Sequence, residues 1–505
     1  MNLKGLNSNF LTVSVWTLAS RILGFIRDIT MAALLGAGPL AEAFLIAFSL
    51  PNMFRRFFAE GALNLAFVPL FTKKLQTNKQ SAHQFANDTF VVLGTILLLL
   101  TIFSQALMPF LVFAMASGFL GDQRFDQATD LGRIIFPYIF FISLAALLSG
   151  LLNASGKFMA AAAAPIILNI MLIGAMALAI YLEIQVSLAL AIAVPISGIL
   201  QLALVWFAAK KIGFKLTFRV PKITPDVKKL IIIAAPAALA GGVVQINLLV
   251  GRQIASGTEG AIAWLSYADR LYQLPLGVVG IAVGIVLLPE LSRHLTSKDI
   301  IGAQNAFNKS TKFALNLTIP ASVALIIIPT ELVSTLFERG VFDENDTKYT
   351  ALALTVYGIG LPAFVLQKVL QPVYFAREDT KTPFRYALIA MLINAIIAIG
   401  LVSKIGFISA AIATSVAGWS MLFLLWQGSR KFEDAIKFDD TTLKSLLTIV
   451  ISSIIMGICV FAGKSYLITL LHDKQMKYLG LIILIFIGII TYFLTKITLE
   501  KIVIK

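Results

Sequence analysis

The chain has 505 residues, of which 58% are hydrophobic and 13% charged, and its formal net charge is +15. A soluble protein carries roughly 25% charged residues, so this composition excludes an ordinary soluble globular protein. The single cysteine, Cys459, excludes an intramolecular disulfide and a cysteine-rich metal site. The positive charge is explained by the lysines and arginines that membrane proteins collect in cytoplasmic loops, so we expect no nucleic-acid partner.

Apolar segments of about 20 residues or more, enough to span a bilayer as helices, follow one another along the whole chain. We count about 14, which start near residues 10, 41, 84, 131, 160, 186, 229, 260, 312, 349, 383, 406, 445 and 477. The sequence therefore predicts an all-α integral membrane protein with about 14 transmembrane helices.

The connections between these segments differ in basic residues. One alternate set, which includes both chain ends and residues 209–229, holds 25 of the 41 lysines and arginines, and the other set holds 8. Cytoplasmic loops are the ones enriched in lysine and arginine. We therefore expect a multi-pass protein with both termini in the cytoplasm.

The chain also contains an internal repeat. Four short matches recur in order at offsets of 220 to 225 residues: Pro51 with Pro275, residues 66–75 with 286–295, Pro137 with Pro362, and Asn169 with Asn394. An even number of spans per half gives a parallel repeat, and in such transporters the site lies between the halves. We predict an N-lobe at 1–215 (helices 1–6), a C-lobe at 216–440 (helices 7–12) and two added C-terminal helices at 441–505.

Several charged residues lie inside apolar segments. The first segment contains "SRILGFIRD", which carries Arg21, Arg27 and Asp28. A charge at the bilayer centre costs at least about 2.5 kcal/mol, so such residues normally pair or face a cavity. Arg21 and Arg27 lie about 120° apart around a regular helix, so one cavity receives both only if it is wide or if the helix bends at Gly24.

Together these segments hold more arginines than acids. The charged set is Arg21, Arg27, Arg55, Arg56 and Arg270 against Asp28, Glu42, Glu60 and Asp269. Internal salt bridges are the alternative explanation for some members, above all for Arg56 and Glu60, which are four residues apart. At least one arginine still lacks an acid. Since the arginine fork binds phosphate oxygens bidentately, we predict a cavity that binds a phosphate or diphosphate.

These residues and their surroundings resemble the MurJ/MviN family of lipid II flippases, in the multidrug/oligosaccharidyl-lipid/polysaccharide exporter superfamily. The resemblance runs from about residue 8 to the end and includes "EAFLIAFSLPNMFRRFFAEGALNLAFVP", "SYADRLYQLPLGVVGIAVGIVLLPELS" and "DTKTP". It implies two six-helix lobes around a central cavity and two C-terminal helices that form a lipid-tail groove. It also implies a transporter, not an enzyme.

The resemblance further implies the substrate and the site. The substrate is undecaprenyl-diphosphate-linked disaccharide-pentapeptide, moved to the periplasmic leaflet of the bacterial cytoplasmic membrane by alternating access for cell-wall synthesis. The implied binding residues are Arg21, Arg27, Arg55, Arg270 and Glu60, with Asn52, Asp269, Asp28 and Glu42 beside them. No cofactor or metal is implied, a coupling monovalent ion has no located site, and the cell-wall synthesis machinery is the partner compatible with this role.

Three departures from the family pattern leave the cavity charge open. Glu42 stands where aspartate is common, and Ser49 and Gln273 occupy positions that are charged in some members. Rival functions are a flippase for another polyprenyl-diphosphate glycan, a cation or drug antiporter of the same superfamily, and an anion channel. The antiporter needs surplus acids, whereas the chain has surplus arginines. An enzyme is disfavoured because no nucleophile–base pair lies among the buried charges.

Overall fold

The computed structural model describes residues 3–55, 62–217, 219–432, 436–473 and 476–503. Within these ranges every regular element is helical, as an all-α fold requires. Two compact units divide the chain, Met1–Ala263 and Trp264–Lys505. This division differs from the lobe boundary at 215/216 that the repeat predicts, and the lobe boundaries themselves stay a prediction.

In its described residues the first unit contains ten α-helices that lie wholly within it. They are α1 (Leu3–Leu35), α2 (Pro39–Arg55), α3 (Ala62–Thr77), α4 (Lys79–Ala106), α5 (Met108–Met115), α6 (Gln123–Ile135), α7 (Tyr138–Ala154), α8 (Met159–Leu182), α9 (Val186–Lys211) and α10 (Pro225–Ser256). A short 3₁₀ helix, Ser117–Phe119, lies between α5 and α6. The next helix, α11 (Ala261–Thr296), begins at the end of this unit and continues into the second.

The second unit continues with eight more α-helices in the described residues. They are α12 (Ile300–Ile327), α13 (Pro329–Phe337), α14 (Glu344–Phe375), α15 (Lys381–Ile405), α16 (Ile408–Ser429), α17 (Asp440–Tyr466), α18 (Ile468–His472) and α19 (Lys477–Val503). A 3₁₀ turn, Arg430–Phe432, follows α16.

Nine helices among the described residues are long and apolar enough to cross a membrane, or up to ten if the bent pair α6 and α7 counts as one span. Every one of the predicted segment starts lies in a helix or within two residues of one. The multi-pass, all-α prediction is therefore confirmed. A total of about 14 spans stays a prediction.

Short polar side chains mark where several helices begin. Asn78 accepts hydrogen bonds from the backbone N–H groups of Gln80 and Ser81 at 2.8 and 3.2 Å at the start of α4. Thr224 before α10 and Asp343 before α14 accept from residues three positions on. Each bond satisfies an N–H that the first helical turn leaves without a partner. These capping residues thus fix the first residues of the helices, close to the start of each apolar segment.

The order of helices repeats between the two halves of the chain. In each half a long helix leads to a short one that has proline at its first or second position, α4 to α5 and α12 to α13. The later helices also pack alike, α8 and α7 against α9 in one half, α15 and α14 against α16 in the other. The repeat seen in the sequence therefore corresponds to a repeated arrangement of helices within each unit.

The repeat is not symmetrical at its matched prolines. Pro137 lies at the break between α6 and α7, where the two helices bend by 41°. Its counterpart Pro362 lies inside the continuous helix α14. Proline removes one helical hydrogen bond in both places, so the surrounding packing decides whether the helix breaks. The first half consequently has a corner that the second lacks.

The first helix of each half also packs differently. In the first half α1 lies against α8, whereas α10 lies against α3, α5 and the 3₁₀ helix of the first unit. The Gln253 carboxamide accepts from the Ser117 N–H at 2.8 Å and donates to the Ala114 carbonyl at 2.6 Å. Ser256 accepts from the Gly118 N–H at 3.0 Å. These bonds join the end of α10 to the first unit, to which the whole of α10 belongs.

Gly118 is predicted to be required for this contact. A Cβ added there would lie 2.6 Å from the backbone of Ser256 and Gly257, closer than carbon atoms can approach. We expect Gly118→Ala to destabilise the protein by roughly 1–3 kcal/mol, as overpacking does. The measurement is the melting temperature of the full-length protein in detergent.

The matched control is the same substitution at Gly174, inside α8, where an added Cβ meets nothing within 4 Å. Alanine is favoured over glycine inside a helix by roughly 0.5–1 kcal/mol, so Gly174→Ala should leave the melting temperature unchanged or slightly raised. Equal melting temperatures for the two variants would contradict the close approach at Gly118.

Candidate functional site

Arg27 is held by groups from two helices. Its Nε and Nη2 donate to Asp28 Oδ1 at 3.0 and 2.7 Å, and its Nη1 donates to Asn169 Oδ1 on α8 at 2.9 Å. Guanidinium has five N–H donors, so among the described residues two of them have no protein acceptor. The Arg27 side chain is 11% exposed. Arg27 is thus fixed in place and still able to donate to an added anion.

Arg21, one and a half turns earlier on α1, lines an open pocket of about 410 Å³ within the first unit. Thr17, Ser149 and Asn153 supply polar groups to the same pocket, whose other walls are mainly apolar. Among the described residues Arg21 makes no ion pair or hydrogen bond. The pocket is at the small end of the volumes typical of ligand sites. It therefore combines an unneutralised guanidinium with space for a small anionic group.

Arg21 and Arg27 accordingly take different surroundings. Arg27 turns to Asn169 on α8, whereas Arg21 lines the pocket formed by α1, α7 and α8. Helix α1 runs unbroken from Leu3 to Leu35 and so passes Gly24 without interruption. The 120° separation predicted for a regular helix explains why the two side chains meet different groups.

Glu42 is the centre of a buried ion pair. It is fully buried, accepts from Arg124 Nη1 at 2.8 Å and accepts from the backbone N–H of Ile262 at 3.0 Å. Ile262 lies in the first turn of α11, where N–H groups lack helical partners and a carboxylate is favourable. The sequence placed Glu42 beside the arginines of a central cavity. In the structure the carboxylate instead neutralises Arg124 and caps a helix.

Arg124 is the residue that sequence reasoning missed. In the sequence Arg124 lies in a connection between two apolar segments, but in the structure it is buried, pairs with Asp122 at 2.7 Å and lies 4.4 Å from the centre of the Phe119 ring. The backbone N–H of Arg124, together with its side chain, lowers the pKa of the Asp122 carboxyl in the connection before α6. Glu42 is 82 positions away in sequence, and no local pattern connects the two residues.

The end of α2 holds the next predicted residues. Asn52 donates its amide to the Phe48 carbonyl at 2.8 Å, and Arg55 lies half-buried at the last position of the helix. Pro51 lies inside α2 without ending it. Arg56 and Glu60 lie outside the described residues, so their predicted pairing stays a prediction.

The second unit carries Asp269 and Arg270 on α11. Asp269 accepts a hydrogen bond from the Gln273 side chain, one turn further along the helix, and Arg270 is exposed. Gln273, a departure from the family pattern, thus occupies one acceptor of the neighbouring acid. Of the predicted set, Arg27 pairs with its neighbour Asp28, whereas Glu42 pairs with Arg124, a residue that the prediction did not include.

We predict that Glu42 is needed for stability. Glu42→Ala leaves the buried Arg124 with only its partly exposed partner Asp122, and breaking a buried pair typically costs about 3–5 kcal/mol. The expected result is a strongly lowered melting temperature and less folded protein in the membrane. A variant of normal stability that has lost transport would instead make Glu42 a site residue, as the resemblance implied.

Asp130→Ala is the control for this change. It removes the ion pair between Asp130 and Arg133, which spans 3.6 Å between side chains that are 73% and 47% exposed. Exposed pairs contribute about 0–1 kcal/mol, so its melting temperature should stay near that of the unmodified protein.

A family model, related protein sequences and solved structures all match the same family. A model of the family described as "Lipid II flippase MurJ" matches residues 31–500. The chain is 48% identical over 416 residues to the probable lipid II flippase MurJ of Rhizobium tropici, covering 81% of this chain and 78% of the relative. It is 37% identical to that of Rickettsia prowazekii, covering 91% and 97%.

Solved structures agree. A structure of lipid II flippase MurJ in an inward closed conformation superposes with a TM-score of 0.83 at 29% identity and covers 98% of this chain and all of that one. An inward-facing transporter of the multidrug resistance MATE family reaches a TM-score of 0.69 at 14% identity, covering 82% and 95%, which shows a shared fold alone. The match along almost the whole sequence shows that this chain belongs to the lipid II flippase MurJ family.

Proposed function

We propose that this protein moves lipid II from the cytoplasmic to the periplasmic leaflet of the bacterial cytoplasmic membrane by alternating access. Family membership supports the substrate. The main structural support is Arg21, whose guanidinium on α1 lines a pocket and has no acid partner among the described residues. A cation/drug antiporter needs acids in such a place.

The proposed ligand of the arginines is the diphosphate of the substrate. Arg27 supports this role because it keeps two N–H donors after bonding Asp28 and Asn169. Arg55 and Arg270 join Arg21 and Arg27 in the proposal, with Asn52 and Asp269 beside them. Glu60 remains a proposed member on the family resemblance. Because Glu42 is neutralised by Arg124, the charge that remains in the set is more positive than the sequence count suggested.

The polyprenyl tail is proposed to lie along α17 and α19. These helices pack together through Met456, Val460 and Leu484. Their other faces expose large apolar side chains to the surroundings, such as Ile458 and Phe461 on α17 and Phe486 and Phe493 on α19. Exposed apolar faces on membrane helices are suited to contact hydrocarbon chains.

The proposed cycle requires no cofactor. An inside-negative potential favours outward movement of negative charge by roughly 2.3 kcal/mol per charge per 100 mV, which assists the transfer of a diphosphate. Arginine charge that moved with the substrate would reduce this gain. A coupling ion and a partner in the cell-wall synthesis machinery are compatible with the cycle.

Removal of charge tests the site. We predict that Arg21→Ala, Arg27→Ala, Arg55→Ala and Arg270→Ala each reduce lipid II transport at least about tenfold, because a hydrogen bond to a charged group contributes about 1.5–3 kcal/mol. The measurements are growth of cells that depend on the variant and exposure of lipid II on the outer leaflet, at equal protein amounts.

Arg133→Ala is the matched control, since Arg133 is an arginine of the first unit with a largely exposed side chain. It should support normal growth. Normal growth of all four site variants would refute the assignment of the arginines. Accumulation of a different lipid-linked glycan on the cytoplasmic leaflet after depletion of the protein would favour the rival flippase.

Orientation is a separate prediction. In a Cys459→Ser background we expect Lys222→Cys, in the basic connection before α10, to react with a membrane-impermeant maleimide only after permeabilisation of spheroplasts. Gln185→Cys, in the connection between α8 and α9 that carries no lysine or arginine, should react in intact spheroplasts. Reaction of both residues from the same side, or the reverse order, would overturn the assignment of the termini to the cytoplasm.

A further inference from the structure

Asn169, on α8, lies against α1 at three positions on one face of that helix, Ser20, Gly24 and Arg27. Its Nδ2 donates to the Ser20 carbonyl at 3.0 Å, and its Oδ1 accepts from Arg27 Nη1 at 2.9 Å. Between these two bonds, a Cβ built on Gly24 would lie 3.7 Å from the carboxamide. Residues spaced by four and three share one face of a helix. The carboxamide therefore lies flat along the face of α1 that ends at Arg27.

The two bonds satisfy a buried amide and also orient a charge. Asn169 is 6% exposed, so its donor and acceptor both need partners in the protein. Arg27 receives one acceptor from its own helix, Asp28, and one from α8. Acceptors on two helices restrict the rotation of the guanidinium plane. A single acceptor on the same helix would leave this rotation free. The direction of the two remaining N–H donors is thereby set.

The chemistry of the second acceptor also matters. Arg27 and Asp28 together carry no net charge, and a further carboxylate at position 169 would make the cluster negative and repel an anion. A neutral carboxamide fixes the guanidinium without adding charge. An arginine held in this way keeps its attraction for phosphate oxygens.

The second half of the chain offers a comparison. Asn394 on α15, at the matching repeat position, is 2% exposed and donates to Thr414 Oγ1 at 3.4 Å. Among the described residues it bonds no arginine. A buried asparagine at this position thus serves helix packing in the second half, whereas in the first half it also contacts a charged residue.

We propose that Asn169 is a positioning residue, which holds the Arg27 guanidinium in the orientation that binds the diphosphate of the substrate. The inference rests on the role proposed for Arg27. Asn169 is uncharged and lies on a different helix from Arg27. It acts through Arg27 and need not touch the substrate.

A double-mutant cycle tests this dependence. The affinity of the full-length protein in detergent for purified lipid II is measured for Arg27→Ala, Asn169→Leu and the double variant. Loss of a hydrogen bond to a charged group predicts that each single change weakens binding about tenfold. If Asn169 acts through Arg27, the double variant is also weakened about tenfold, whereas independent roles multiply to about a hundredfold.

Controls separate positioning from simple packing. Asn394→Leu should keep an affinity within about twofold of the unmodified protein, since it lies away from any described arginine contact. Asn169→Ser, whose hydroxyl is too short to replace the carboxamide oxygen, should weaken binding as Asn169→Leu does while keeping a near-normal melting temperature. A loss of affinity that follows only the melting temperature, or that Asn394→Leu shows equally, would overturn the inference.

The failures are distinguishable. Weak binding by Arg27→Ala with normal binding by Asn169→Leu and Asn169→Ser overturns the positioning role alone. Normal binding by Arg27→Ala overturns the assignment of Arg27 to the site, and the inference about Asn169 falls with it. A hundredfold loss of affinity in the double variant would show that Asn169 contributes independently of Arg27, which overturns the positioning role.

Discussion

Placing guanidinium groups inside a membrane protein is the strictest physical requirement that this fold has to meet. A guanidinium cannot be deprotonated, it carries five donors, and placing it among apolar helices is costly unless acceptors or water surround it. Three arginines show three different surroundings. Arg124 is buried between two carboxylates and over the Phe119 ring. Arg27 has one carboxylate and one carboxamide, and Arg21 faces a pocket.

These three surroundings divide the arginines by what they can still do. Arg124 is neutralised and enclosed, so it stabilises the junction of α2, α6 and the first turn of α11. Arg27 is fixed but keeps donors for a further acceptor. Arg21 is the most open of the three because no described acid opposes it. Among these three arginines, we therefore expect Arg21 to have the greatest capacity to bind an anion.

Local signals were readable from the sequence, and distant contacts were not. Hydropathy located the helices because apolar length is a property of consecutive residues, and each predicted start lies in a helix or within two residues of one. The charge excess was also visible. The pairing of Glu42 with Arg124 was not, because it joins residues that are 82 positions apart. Asn169 was noticed as a repeat marker, yet its bond to Arg27 spans 142 positions.

The two halves share their element order, so the differences between them indicate where each half has acquired its own role. Pro137 breaks a helix and Pro362 does not, and α1 packs on α8 whereas α10 packs on α3. Asn169 and Asn394 are both buried, but within the described ranges only Asn169 bonds an arginine. In both halves the buried asparagine donates a hydrogen bond to a neighbouring helix, Asn169 to Ser20 and Asn394 to Thr414. Among the described residues only Asn169 also bonds an arginine, and the positioning role proposed for it accounts for this difference between the halves.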